Sequence, residues 1–295
     1  MSAPAEAVAG LPVMRRRAVD RDRRMAILLA SPAVVVLIVL FALPLVLLLV
    51  GSVMGASGLS LSAYGKLLGE AYYRGVIWNS LKLALLTTGF AFAIGYPAAF
   101  ALARARGFMR SALLATLFLP LAASVIVKAF AWTILLRGDG IVNTVLIAFG
   151  IVDEPIRLIF TETALVIGSV NVFLPFMILP IYTVVAQLDP RLPEAAATLG
   201  ASPLVAFLRV IVPLSLPGVI AGVALVFSLS VSAYVVPSLL MGERYPTLST
   251  TIAKAFLLAR DPMLGAAAGV VLLTIAVLVV VASGVLGGRS AKGRA

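Results

Sequence analysis

The sequence predicts an all-α integral membrane protein with six transmembrane helices. Of its 295 residues, 62% are hydrophobic and only 12% are charged, whereas about a quarter of the residues in a soluble domain are charged. Uncharged apolar runs recur along the chain, each with about the 20 residues needed to cross the hydrocarbon core of a bilayer. The basic residues are concentrated in alternate connecting segments. Together these observations predict a chain that crosses a membrane repeatedly.

Six apolar runs are long enough to be spans. Helices are expected, because an open sheet would leave backbone groups unpaired in lipid. The predicted spans cover about residues 26–50, 76–103, 111–136, 163–187, 212–240 and 264–287. Residues 25–288 would then form one transmembrane domain between a basic tail, 1–24, and a short tail, 289–295.

The distribution of basic residues predicts the orientation. The first apolar run, Met25–Met54, has 30 residues, too many for the apolar core of a cleaved secretion signal, so we expect a retained span. With the N-terminus inside, the inner segments hold 14 of the 23 Lys and Arg residues and the outer loops hold seven. Cytoplasmic loops are enriched in Lys and Arg, so both termini are predicted to be cytoplasmic.

Composition argues against several functions. The chain has no histidine and no cysteine, so thiol nucleophiles and most zinc sites are excluded, and no catalytic or metal site is predicted. The net charge of +11 could suggest nucleic acid, but six arginines precede the first apolar run. An arginine-rich flank of a span is better explained by topology, so no nucleic-acid partner is expected.

The loop between the fourth and fifth spans, residues 188–213, is predicted to contain two short helices. Asp189 before Pro190 has the pattern of an N-cap followed by proline at the first helical position. Gly200 suits the left-handed position that ends a helix. Ser202 before Pro203 repeats the cap pattern. The loop is therefore expected to present a rigid element to the cytoplasm.

The residues of this loop resemble the EAA loop of bacterial binding-protein-dependent ABC importer permeases. The resemblance rests on Glu194, Ala195 and Ala196, with Gly200 six residues after the glutamate. Val210, Val212 and Pro213 replace the Ile-x-Leu-Pro ending of that pattern. The resemblance implies a type I permease fold in the inner membrane and a loop that docks on a cytoplasmic ATPase. The implied coupling residues are Glu194, Ala195, Ala196, Gly200 and Pro203.

The chain itself lacks a nucleotide site of the Walker A type. The pair Gly65-Lys66 has Ser60 and Leu67 at the positions that decide the motif. No cofactor is therefore expected in this chain, which is interpreted as a permease subunit and not an enzyme. ATP and magnesium would be bound by a partner ATPase.

Further segments resemble the first permease of spermidine/putrescine importers. They include Gly95-Tyr96-Pro97-Ala98 and Leu174–Tyr182. The resemblance implies import by alternating access, with a second and commonly different permease subunit, two copies of an ATPase and a periplasmic solute-binding protein. Related permeases serve iron, thiamine, phosphonates and opines, which remain alternative substrates.

Polar and aromatic residues in or near the spans are candidates for the substrate pathway. Ammonium groups favour carboxylates and aromatic faces, and intramembrane charges are functional candidates. The candidates are Trp132, Asn171, Tyr182, Tyr234, Glu162 and Lys128. Aromatic residues near span ends are also interfacial anchors. Lys82 is interpreted chiefly as snorkelling to the interface, and Lys128 could line the pathway or join two helices. Pairing with Glu162 or Asp139 remains an alternative for either lysine.

Three other classes remain as alternatives. A secondary transporter would usually show internal repeats, a channel a filter-like segment, and an intramembrane enzyme catalytic side chains; none of these is evident in the sequence. The alternatives would work alone, whereas an importer permease depends on its ATPase.

Overall fold

The computed structural model describes residues 11–55 and 58–292 of the chain. Part of the predicted basic tail and the last three residues lie outside the described residues. The chain divides into two compact units, Met1–Gly51 and Ser52–Ala295. The first unit contributes most of helix α1, Leu11–Val53, which contains Pro32 and Pro44. Its segment Val34–Val53 is long and apolar enough to cross a membrane.

Apart from turns and loops, the described part of the second unit is helical, with one two-residue antiparallel pair of strands, β1 (Met54–Gly55) and β2 (Gly58–Leu59). The helices follow in this order: α2 Ser62–Gly69, α3 Ala71–Arg104, α4 Gly107–Ala122, α5 Val125–Leu135, α6 Ile141–Ala148, α7 Glu162–Val185, α8 Leu192–Thr198, α9 Pro203–Ala206, α10 Val212–Val231, α11 Val235–Leu240, α12 Leu248–Leu257 and α13 Pro262–Lys292. A π-helical turn, Phe207–Ile211, joins α9 to α10, and a 3₁₀ turn, Gly242–Arg244, follows α11. The predicted all-α class is confirmed.

The third predicted span, 111–136, is not one straight helix. Helices α4 and α5 meet at an angle of 100°. Pro120 lies in the last turn of α4, and the Ser124 hydroxyl accepts a hydrogen bond from the N–H of Ile126 to start α5. Proline removes a helical hydrogen bond and the serine cap begins a new helix, so the break has a local cause. The described residues contain five continuous helices able to span a membrane, or six spans if this bent pair counts as one.

The fifth predicted span, 212–240, is shorter than expected at its far end. Helix α10 ends at Val231, and α11 begins at Val235 after a break. At its near end the helix is longer than expected, because Pro203–Val231 forms one continuous helical stretch of 29 residues. Both α10 and α11 are apolar, so the hydropathy of the sequence does not reveal the break between them.

Helix α7 is central in the second unit and packs mainly on α3 and α10. Met177 of α7 is fully buried. A Cβ atom at Gly95 of α3 would lie 2.9 Å from Met177 Cγ, and one at Gly222 of α10 would lie 3.0 Å from Met177 Sδ. Glycine at these two positions therefore lets both neighbouring helices approach α7 closely.

Candidate functional site

The loop after α7 begins with a turn and not with a helix cap. The Asp189 carboxylate accepts a hydrogen bond from the N–H of Arg191 at 2.9 Å, and the N–H of Leu192 donates to the Asp189 carbonyl at 3.1 Å. Helix α8 starts at Leu192, with Pro193 in its first turn and Arg191 at the N-cap. The predicted N-cap at Asp189 is therefore wrong, because Asp followed by Pro also favours the first two positions of a β-turn.

The predicted helix end at Gly200 and the second cap at Ser202 are confirmed. Gly200 has φ +81°, and its N–H donates to the Ala197 carbonyl at 2.9 Å. The N–H of Ala201 donates to the Ala196 carbonyl at 3.1 Å, which completes the Schellman arrangement for a helix C-terminus. The Ser202 hydroxyl accepts a hydrogen bond from the N–H of Val205 at the start of α9.

Helix α9 continues through the π-helical turn into α10 without a break. Pro213, in the first turn of α10, has no N–H to donate to the preceding turn. The N–H of Val212 donates to the carbonyl of Phe207, five residues earlier. The wide turn thus joins the loop to the long helix α10 as one continuous element.

Two of the five predicted coupling residues, Glu194 and Pro203, line a cavity of about 380 Å³, and Ala195, Ala196 and Gly200 do not. Glu194 and Pro203 line it together with Arg104, at the end of α3, and Phe207 of the π-helical turn. The Phe207 ring lies 5.6 Å from the Phe100 ring of α3, and Tyr96 of α3 shares a hydrogen bond of 3.0 Å with Ser215 of α10. These contacts link the loop to α3 as well as to α10.

An apolar surface on this loop is a feature that the sequence analysis missed. Leu199 is 89% exposed, Leu204 67% and Leu208 54%. Their hydropathy gave no signal, because leucine is frequent throughout the chain. The available clue was the position of these leucines, next to the predicted helix end at Gly200 or between it and the fifth span, in a predicted cytoplasmic loop. We call Leu199, Leu204 and Leu208 the leucine surface.

A second candidate site is a cleft of about 710 Å³ between α3, α5 and α7. It brings together three of the predicted pathway residues, Trp132, Asn171 and Glu162. Its charged end has Lys82 of α3 and Glu162 of α7, and its walls are mostly apolar. On α3 it extends from Lys82 to Ile94, which is about 18 Å of helix. We call it the α3–α7 cleft.

Local structure explains the position of Glu162. The Thr161 hydroxyl caps α7 by accepting a hydrogen bond from the N–H of Ala164, so Glu162 lies in the first turn. A carboxylate is favoured there by the positive end of the helix dipole. Lys82 Nζ lies 2.8 Å from Glu162 Oε2, so for Lys82 the structure has the ion pair with Glu162, the alternative to snorkelling alone.

The other three predicted pathway residues do not line the α3–α7 cleft. Tyr182 is 20 residues along α7 from Glu162, about 30 Å away, and its hydroxyl accepts a hydrogen bond from Arg110 at 2.8 Å. Tyr234 lies at the start of α11 and is 46% exposed. Lys128 Nζ donates to the Pro120 carbonyl at 2.9 Å, so this lysine joins the two sides of the α4–α5 bend.

A third structured region lies in the connections predicted to face outward. The side chain of the buried Asn143 donates to the carbonyls of Arg137 and Ile156 and accepts from the N–H of Ile156. It therefore fixes the connection between α6 and α7.

Glu243 and Lys254 form an exposed ion pair of 2.8 Å, and hydrogen bonding to Lys254 lowers the pKa of the Glu243 carboxyl.

Residues 140–289 match the family described as "Binding-protein-dependent transport system inner membrane component". The spermidine/putrescine transport system permease protein PotB of Haemophilus influenzae is 38% identical over 208 residues, which are 70% of this chain and 73% of PotB. PotB of Escherichia coli K12 is 37% identical over 213 residues, 72% of this chain and 77% of that protein.

The fold is also found among solved structures. A chain of a bacterial alginate ABC transporter, in complex with an alginate pentasaccharide-bound periplasmic protein, superposes with a TM-score of 0.76. The match covers 92% of this chain and 96% of that one at 18% identity. The family match and the identity to PotB show that this chain belongs to the binding-protein-dependent transport system inner membrane components, the multi-pass permease subunits of ABC importers.

Proposed function

We propose that the chain is one permease subunit of an ATP-driven importer of polyamines, spermidine and putrescine among them. The observation that carries the proposal is the continuous helical element that begins after Gly200 and runs through the π-helical turn into α10. Such an element can transmit the movement of a docked ATPase to the membrane helices as a rigid body. The substrate class follows from the identity to PotB over most of both chains.

The ATPase would dock on α8 and the leucine surface. Exposed apolar side chains on a short cytoplasmic element are typical of a protein interface. Glu194, Ala195 and Ala196 lie in α8, and Gly200 and Pro203 form its junction with α9. Two copies of the ATPase would bind ATP and magnesium, one copy for each of two permease subunits. The second permease would be a different chain.

The orientation follows from the charge distribution. With both termini in the cytoplasm, α8 lies on the cytoplasmic side and the Lys82–Glu162 end of the α3–α7 cleft lies near the periplasm. A periplasmic solute-binding protein would then release substrate near this end. The match to a transporter solved with its periplasmic protein supports this arrangement.

The α3–α7 cleft supplies the chemistry that a polyamine requires. Glu162 offers a carboxylate, Trp132 an aromatic face, and Asn171 an amide in the middle of α7. Ammonium groups bind both carboxylates and aromatic faces, and the methylene chain between them suits apolar walls. The roles of Tyr182, Tyr234 and Lys128 would be to support helix packing and not to contact substrate.

Affinity purification from native membranes, followed by reconstitution, tests the proposal. We expect the tagged chain to recover a Walker-motif ATPase and a second permease, and liposomes with this complex to import labelled spermidine only with ATP and the binding protein. Transport by the chain alone would instead indicate a secondary transporter. An ATP-dependent complex whose binding protein does not bind spermidine or putrescine would contradict the proposed polyamine substrate. It would still be consistent with an ABC importer.

A further inference from the structure

The ion pair in the α3–α7 cleft uses only half of the Glu162 carboxylate. Oε2 accepts from Lys82 Nζ at 2.8 Å. Oε1 is buried and has no hydrogen-bond partner within the described part of the chain. A buried oxygen without a donor is costly. Glu162 therefore has the capacity for a further N–H donor at the charged end of the cleft.

Both members of the pair remain accessible from the cleft. The Lys82 side chain is 42% exposed and the Glu162 side chain 35%. The cavity of about 710 Å³ is within the usual range for small-molecule sites. Phe90 and Ile94 of α3 and Val170 of α7 supply apolar walls farther along the cleft.

We infer that Glu162 binds an ammonium group of the transported cation, and that Lys82 is its resting counter-ion, which the substrate displaces. The inference rests on the proposed import of polyamines. The primary ammonium of lysine and that of a polyamine have the same chemistry, so one ion pair replaces another. The Glu162 carboxylate then has a cationic partner when the cleft is empty as well as when substrate is bound.

Lys82 is suited to this exchange. Its ammonium is on a flexible four-carbon stem, and its partner is on a different helix, α7. When displaced, the ammonium can move toward the aqueous end of the cleft, because the side chain is already partly exposed. The Trp132 ring, on α5, faces the same cavity and offers a second cation-binding surface.

A purely structural ion pair between α3 and α7 makes a different prediction. Removing either partner would leave an unpaired charge in a half-buried place, so both single variants should be similarly harmful. If Lys82 is a resting counter-ion, the two single variants should differ in their effect on uptake. Loss of Glu162 removes the substrate contact, whereas loss of Lys82 removes only the competitor.

The experiment uses the complete importer in liposomes and measures the initial rate of spermidine uptake with saturating binding protein. We expect Glu162→Gln to lower uptake on the order of tenfold or more, the cost of one charge-assisted hydrogen bond. Lys82→Gln removes the competing ammonium and should raise the rate above that of the wild type. Glu243→Gln and Lys254→Gln are matched controls, because that pair has the same 2.8 Å separation but lies outside the α3–α7 cleft. Both should leave uptake unchanged.

The double variant Lys82→Gln/Glu162→Gln separates the roles even if a single variant assembles poorly, since it leaves no unpaired charge. We expect it to be as inactive as Glu162→Gln. Recovery of uptake in the double variant, equal loss in both single variants, or loss in Lys82→Gln alone would each overturn the inference. A wild-type complex that hydrolyses ATP but imports neither spermidine nor putrescine would instead contradict the proposed substrate.

Discussion

The ring of Phe207, in the π-helical turn, contacts the ring of Phe100 on α3 edge-on, with centroids 5.6 Å apart and planes at 66°. Tyr96 extends the cluster, with its ring 4.9 Å from that of Phe100. The π-helical turn is therefore tied to α3, which also lines the α3–α7 cleft. Movement of α8 would reach the cleft through this aromatic contact.

Phe207→Ala should weaken the link between ATP hydrolysis and transport. The variant loses an aromatic pair worth about 1 kcal/mol beyond its buried area, while α8 and the leucine surface remain in place. We expect the ATPase to co-purify normally and the number of spermidine molecules imported per ATP to fall several-fold. Phe108→Ala is the control, because Phe108 is 86% exposed. An unchanged transport stoichiometry in Phe207→Ala would show that the contact is not needed for coupling.

Gly200→Asp should abolish uptake while the protein stays in the membrane. At φ +81°, a side chain is strained by roughly 1–2 kcal/mol, and the aspartate adds a charge where the ATPase is proposed to dock. Gly200→Asn is a matched variant, because asparagine has nearly the same shape and backbone preference as aspartate but has no charge. We expect it to retain more uptake than Gly200→Asp. Normal uptake by Gly200→Asp would count against a coupling role for this loop.

Leu199→Asp should reduce recovery of the ATPase. The substitution places a carboxylate on the leucine surface, and charged residues are depleted at the core of protein interfaces. We expect at least a several-fold fall in co-purified ATPase in mild detergent. Leu257→Asp is the control, since Leu257 is also highly exposed, at 76%, and lies at the end of α12. Equal recovery from both variants would place the docking surface elsewhere.

Gly218→Ala should destabilise the packing of α10 on α7. The new Cβ would lie 2.8 Å from the Pro180 carbonyl oxygen and 3.0 Å from Ile181 Cα, and backbone atoms cannot move aside easily. Overpacking of this kind costs about 1–3 kcal/mol. We expect a lower melting temperature in detergent. Gly89→Ala, on α3, has no atom within 4 Å of its Cβ and should melt as the wild type does.

Tyr245 should titrate only at strongly alkaline pH. Burial, with a further contribution from the Glu162 charge, raises the pKa of Tyr245 from 10.0 to about 12. Its hydroxyl donates to the Asn79 carbonyl at 3.2 Å. Because the folded state holds this proton more tightly, the associated stability is complete below pH 10.0 and is lost as the pH rises toward 12.

The difference in tyrosinate absorbance between the wild type and Tyr245→Phe isolates this titration. We expect the difference band to appear well above the pH at which exposed tyrosines ionise. A difference band centred near pH 10.0, the ordinary value, would contradict the buried position of this hydroxyl.

Local signals in the sequence determined much of this protein. Apolar runs specify membrane helices, because lipid requires every backbone group to be satisfied within the segment. Gly200 specifies the end of α8, since few other residues adopt its left-handed conformation readily, and Ser202-Pro203 specifies the start of α9. Each of these features depends on residues within a few positions of one another. The resemblance of the coupling loop to a family pattern is equally local.

Only the tertiary structure decided which distant side chains meet. Lys82 and Glu162 are 80 residues apart in the chain, and nothing in either neighbourhood indicates that α3 and α7 bring them within 2.8 Å. The same applies to the contact of Phe207 with Phe100. The 100° bend before α5 combines a local break at Pro120 with the hydrogen bond from Lys128 across it. Hydropathy is averaged over a segment and does not show how a helix is oriented or which helices pack against it. It could therefore predict the spans but not the cleft between them.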